Sequence, residues 1–95
     1  MTASQRITEE VTSWPGVEAG PGSRGEFAFT VGRRQIGHLH GDYAAHFSFP
    51  KQVWAELFEQ RRIADDADVR DVIALLRLNY DRVVERHGLP EEARA

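Results

Sequence analysis

Two histidines stand two residues apart in the segment 37–42, which reads Gly-His-Leu-His-Gly-Asp, and a third, His46, follows shortly after. Residues at positions i and i+2 of a β-strand point to the same side, so His38 and His40 can chelate one metal ion. Asp42 or His46 would supply a third ligand and leave a coordination position open, as in catalytic metal sites. A second interpretation is acid–base chemistry, because imidazole titrates near neutrality and Asp42 can orient one ring.

The alternative is a purely structural role, in which these histidines are half-buried strand residues that are hydrogen-bonded to the backbone or to a carboxylate and bind no metal. We therefore expect no cofactor and no metal, and His38 and His40 as the ligands if a metal does bind. The candidate catalytic residues are His38, His40 and Asp42.

The composition excludes several other functions. The chain has no cysteine, so disulfides, cysteine–zinc sites and thiol nucleophiles are absent. A net charge of -3 argues against electrostatic binding to nucleic acid or to an anionic membrane. The glycines between positions 16 and 25 lack the lysine of a phosphate-binding loop. No signal peptide or membrane-spanning run is recognisable, so we expect a cytoplasmic protein whose partners are a small-molecule ligand or a second copy of itself.

The elements that must position the histidines follow from hydrophobic spacing. Ile7, Val11 and Trp14 form the apolar stripe of an N-terminal helix that Thr2 or Ser4 caps and Pro15 ends. Residues 15–25 are rich in glycine and predict a connector. Alternating apolar residues then predict strands over 26–31, 35–40 and 45–49.

Two further helices follow these strands. One begins at Pro50 and runs to Phe58, and the other is capped by Asp65 or Asp66 and ends before Gly88. The predicted fold class is α+β, a three-stranded antiparallel meander with one N-terminal and two C-terminal helices packed on one face. We expect residues 1–95 to form a single domain with a core over about 4–88 and a frayed tail over 89–95.

Strand register decides which face carries the histidines. If Val31 lies opposite Ile36, then Phe29 faces His38 and Phe27 faces His40. Both histidines would then lie on the apolar face. The candidate ligand-binding residues are accordingly Phe27, Phe29 and Trp54, in a pocket between the sheet and the helices. The other face would carry the small or mildly polar residues Ala28, Thr30, Gly37, Leu39, His46 and Ser48.

The position of His46 depends on the loop that follows His40. A three-residue loop over 41–43 would put His46 opposite His38, whereas a loop of two or four residues would put Phe47 and Phe49 on the core face. Burying two phenylalanines stabilises a fold by roughly 3–6 kcal/mol, so the second register is favoured. We therefore expect His46 on the face opposite His38 and His40.

Several segments resemble the fungal-luciferase-type domain family, whose small bacterial members are labelled luciferase-family proteins. The resemblance covers about residues 7–84. It is carried by Trp-Pro-Gly-Val at 14–17, Glu-Phe-Ala-Phe at 26–29, Arg-Gln-Ile-Gly-His-Leu-His-Gly-Asp at 34–42, Phe-Ser-Phe-Pro at 47–50, Asp-Val at 68–69 and Ala-Leu-Leu-Arg-Leu-Asn-Tyr at 74–80. It implies an α+β domain with Gly37, His38 and His40 near the site, and Asp42 close by. The fungal namesakes oxidise a hydroxylated pyrone with oxygen and emit light.

Compared with longer relatives, this chain lacks a stretch with a strand between Phe58 and the last helix, where only residues 59–65 remain. The loss of that strand would leave one edge of the sheet unpaired. Two functions follow as hypotheses: binding or oxidation of a small organic molecule near His38 and His40, or a non-catalytic module that forms a homodimer through its sheet.

Overall fold

The computed structural model describes residues 1–48 and 60–90 of this chain. The predicted helix over 50–58, its Trp54 and the end of the third predicted strand at Phe49 lie outside these residues. The elements are α1 (Ala3–Val11), β1 (Val17–Pro21), β2 (Phe27–Val31), β3 (Arg34–His40), β4 (Ala44–Phe47), β5 (Gln60–Arg62) and α2 (Asp66–His87). The α+β class is confirmed, but the described residues contain five strands where three were predicted.

Both described helices begin at residues that were predicted to cap them. Thr2 and Gln5 form a capping box at the start of α1, in which each side chain accepts a hydrogen bond from the other residue's backbone N–H. The Asp65 side chain accepts a hydrogen bond from the Asp68 N–H at the start of α2. Gly88 ends α2 with a φ of 75°, a conformation that only glycine adopts readily.

The five strands form one antiparallel meander in the order β1-β2-β3-β4-β5. Sequence reasoning missed β1 because its glycine and proline are typical of connectors. Pro21 is compatible with β1 because this strand lies at the sheet edge and pairs only with β2. Sequence reasoning also placed no strand between residue 58 and the last helix, but β5 lies in this interval and pairs with β4 through Ala44 and Arg62.

A β-bulge interrupts the pairing of β2 with β3. Phe29 pairs with Gly37 and Thr30 pairs with Gln35, so Ile36 is an extra residue on β3. Ile36 and Gly37 are both buried although they are adjacent in the strand. The alternation of side chains therefore shifts by one residue at this point of β3.

This shift contradicts the predicted placement of the histidines. Phe27 pairs with Leu39 and Ala28 pairs with His38, so His38 and His40 lie on the face opposite the core. Gly37 and Leu39, which were predicted on that open face, are buried instead. An apolar side chain is buried at position 39, and the polar imidazoles stay on the open face.

The two described helices lie on one face of the sheet, as predicted. Helix α2 contacts α1 and all of β2 to β5. The buried apolar core comprises Ile7, Val11, Trp14, Phe29, Val31, Ile36, Leu39, Ala45, Phe47, Ile63, Val69, Val72, Leu76 and Tyr80. Within the described parts of the chain, neither helix is long and apolar enough to cross a bilayer.

Candidate functional site

Three histidines meet on the open face of the sheet. The loop between β3 and β4 has three residues, because His40 pairs with Ala44. His38 consequently lies opposite His46. The favoured register, which put His46 on the other face, was wrong, and the register that aligns the three imidazoles is the one observed.

Phe47 is nevertheless buried in the core, as the favoured register required. Because the bulge has already moved His38 and His40 to the open face, His46 can join them while Phe47 points into the core. The loop itself begins at Gly41, whose φ of 60° is a left-handed conformation that favours glycine.

The three imidazoles are close enough to act together. Their ring centroids lie 4.9 Å apart for His38 and His40, 5.0 Å for His38 and His46, and 4.4 Å for His40 and His46. The Nε2 atoms of His38 and His40 are 3.1 Å apart. One ring nitrogen from each histidine can be chosen so that all three lie within 4.8 Å of one another. We call these residues the histidine cluster.

Gln35 orients one member of the cluster. Its Nε2 atom lies 2.9 Å from His38 Nδ1, so the amide donates to that ring nitrogen. With Nδ1 accepting, the His38 proton resides on Nε2 and points to the Nε2 of His40. Burial, and after it the proximity of His40 and His46, lowers the pKa of His38. The His38 ring is therefore neutral at physiological pH.

Small residues lie beside two members of the cluster on the open face. Ala28 lies beside His38 in the neighbouring strand, and Gly20 lies beside Ala28 in the next. Ala44 pairs with His40. Ala44 pairs in turn with the exposed Arg62, so an arginine follows on the same face one strand further on.

Asp42, the third predicted catalytic residue, is not part of the cluster. Its Oδ1 accepts a hydrogen bond of 2.8 Å from the backbone N–H of Ser4 in the first turn of α1. This hydrogen bond lowers the pKa of Asp42. Asp42 thus holds the β3–β4 loop against the start of α1.

The predicted ligand-binding residues that the structure describes lie on the core face. Phe29 is fully buried, and Phe27 is 39% exposed with its ring edge-on to Phe29 at 5.7 Å. Phe27 and Leu39 line an open apolar cavity of about 780 Å³ beside α1. This cavity and the histidine cluster are on opposite faces of the sheet, so the structure does not combine them into one site.

Sequence reasoning missed Asn79, a residue of α2 that supports the site from the core face of the sheet. Asn79 of α2 is 2% exposed, and its Nδ2 donates to the carbonyl oxygens of Ile36 at 2.8 Å and Ser48 at 3.0 Å. The Ile36 carbonyl oxygen also accepts from the Ser48 N–H at 3.4 Å, so Asn79 ties α2 to the bulge residue and to the chain that follows β4. An asparagine among apolar helix positions was the available signal.

A family model, the luciferase domain, matches residues 33–65. The match contains β3, β4, β5 and all three members of the histidine cluster. The resemblance to the luciferase-domain family is thereby confirmed over this segment. No curated protein and no solved structure gives a significant match to the chain.

Proposed function

We propose that this luciferase-domain-like chain binds a divalent transition-metal ion through the histidine cluster and offers open coordination positions to a small organic ligand. The observation that carries the proposal is the convergence of one nitrogen atom each from His38, His40 and His46 within 4.8 Å. The match to the luciferase-domain model over the same residues supports a small-molecule role.

The spacing of the nitrogen atoms suits a shared ion. Metal–imidazole bonds are about 2.0–2.1 Å long, so two ligands of a tetrahedral ion are roughly 3.4 Å apart. The Nε2 atoms of His38 and His40 are already 3.1 Å apart. A separation of 4.8 Å must shorten by about 1.4 Å, which small side-chain rotations provide.

The ligand chemistry favours a transition metal over calcium or magnesium. Neutral imidazole suits zinc, copper, iron and nickel, whereas calcium and magnesium prefer oxygen ligands. The lowered pKa of His38 keeps its ring in the neutral form that a metal requires.

Gln35 would support the metal site as the hydrogen-bond partner of one metal ligand, His38. With a metal on the His38 Nε2, the ring proton would lie on Nδ1. The Gln35 side-chain oxygen, after rotation of the amide, would accept a hydrogen bond from this N–H. Such partners of metal-bound histidines typically raise metal affinity about 10- to 100-fold, so Gln35→Leu should weaken binding by that factor.

Three ligands from one flat sheet face leave the outward side of the ion free. A substrate oxygen or another small donor can bind there, which is the arrangement of catalytic rather than structural metal sites. Because both helices lie on the opposite face, none of the described elements covers this side.

Cobalt(II) titration of the chelator-treated protein tests the site. Four-coordinate cobalt with nitrogen ligands absorbs visible light, and the absorbance should saturate at one ion per chain. His38→Ala, His40→Ala and His46→Ala should each abolish the saturable signal. His87→Ala is the matched control, because His87 is the fourth histidine and lies in the last turn of α2, outside the cluster.

Azide added to the cobalt-loaded protein tests the open positions, since azide binds to free metal coordination sites and changes the spectrum. Equal cobalt binding by the three cluster variants and the wild type would refute the metal site. Native mass spectrometry of the same samples reports the number of subunits. A metal-free dimer would favour the alternative, an interaction module that dimerises through its sheet.

A further inference from the structure

Four arginines converge on a second pocket, whose described lining residues differ from those of the histidine cluster. The pocket has a volume of about 430 Å³ and lies where the β2–β3 turn meets the C-terminal half of α2. Arg33 of the turn and Arg34 at the start of β3 line it on one side, and Arg82 and Arg86 line it from the helix. We call this the arginine pocket.

The charge of the arginine pocket is not neutralised by the described part of the chain. None of the described residues that line it is acidic. The ion pairs among residues 1–48 and 60–90 involve Arg6, Arg61 and Arg77 instead. A chain with a net charge of -3 thus places four guanidinium groups around one concave surface.

Arg82 supplies an independent sign that an acceptor belongs here. Its Nη1 atom is buried and has no hydrogen-bond partner among the residues that the structure describes. A charged donor that is removed from water without an acceptor destabilises the fold, and such groups in native structures call for an explanation. An oxygen atom of an anion in the arginine pocket would pair with this guanidinium.

We propose that the arginine pocket binds a small molecule bearing a phosphate or carboxylate group. The planar guanidinium forks of arginine match both oxyanions with paired hydrogen bonds. The volume falls within the range of small-molecule sites.

The arginine pocket is linked to the histidine cluster through one side chain. Gln35 lines the pocket, and its amide lies 2.9 Å from His38 Nδ1. An anion in the pocket therefore changes the surroundings of His38 without contacting it, and the ring resonances of His38 should shift on binding.

Isothermal titration calorimetry in the presence of EDTA and physiological salt tests the pocket without any metal. The probes are inorganic phosphate, phenyl phosphate and benzoate, whose comparison separates a phosphate-binding from a carboxylate-binding pocket. At least one of them should bind saturably at one site per chain. Arg82→Gln should weaken that binding at least tenfold, whereas Arg82→Lys should retain part of it.

Arg24→Gln is the control, because it makes the same change in net charge and Arg24 does not line the pocket. Circular dichroism verifies that each variant is folded. Equal weakening by Arg82→Gln and Arg24→Gln, or no saturable binding of any probe, would overturn the proposal. Binding of duplex DNA that is tighter than any probe and lost in Arg82→Gln would replace the small molecule by a nucleic acid.

Discussion

Replacing Gly37 by alanine probes the bulge that sets the face of the histidines. A Cβ atom at this position would lie 2.6 Å from Leu76 Cδ2 and 2.8 Å from the backbone oxygen of His46. Leu76 is 1% exposed and can move little, and the His46 oxygen belongs to the strand that pairs with β3. Overpacking of this kind costs about 1–3 kcal/mol of unfolding free energy.

For a domain of this size, that loss corresponds to a melting temperature roughly 5–20 °C lower. Urea unfolding followed by circular dichroism measures the free energy directly. Gly20→Ala is the matched control in β1, because no atom lies within 4 Å of its added Cβ. It should change stability by less than about 0.5 kcal/mol.

The Gly37→Ala variant should also bind cobalt(II) more weakly where it remains folded, because the clash displaces the backbone that carries His46. A Gly37→Ala protein whose unfolding free energy is within 0.5 kcal/mol of the wild type would show that β3 and α2 are not packed as described.

Three further substitutions test contacts around the site. Tyr80→Phe removes a 2.6 Å hydrogen bond to the Pro15 carbonyl oxygen and should cost about 1 kcal/mol in urea unfolding, with cobalt affinity unchanged. Asn79→Ala should cost about 2–3 kcal/mol, because it removes two hydrogen bonds from a buried side chain to backbone carbonyl oxygens, and unlike Tyr80→Phe it should also weaken cobalt binding. The Ser4 N–H holds the pKa of Asp42 below that of the unfolded chain, so Asp42 stabilises the fold above the unfolded pKa and loses this effect as the pH falls through its folded value. Melting temperatures of wild type and Asp42→Asn should therefore differ at neutral pH and converge at low pH; a constant difference would contradict this assignment.

Local signals made the two described helices predictable from the sequence. The spacing of apolar residues alone predicts the buried face of each helix, including Ile7 and Val11 in α1. A single side chain at each N-terminus predicts where the helix begins. Strand β5 could not be found in the same way. It has only three residues, and it is defined by its pairing with β4 rather than by its own hydrophobic pattern.

The histidine cluster was harder to predict because it depends on which alternate residues of β3 face the core. Without a bulge, Phe29 and Ile36 on the core face would place His38 there too, and burial of Phe47 would then require His46 on the opposite face. The glycine within β3 was the only local sign of a bulge, since isolated glycines in strands often mark one.

The bulge allows β3 to bury its apolar residues in the core and to present its histidines on the open face. Ile36 and Leu39 are both buried although they are separated by three positions, which a regular strand would place on opposite faces. The extra residue resolves this conflict, and the same shift turns His38 and His40 outward to meet His46. Deleting one residue at the bulge would force either Leu39 to the open face or Ile36 out of the core. The alignment of the three imidazoles is therefore a consequence of how β3 buries its apolar residues, and it would be lost together with that packing.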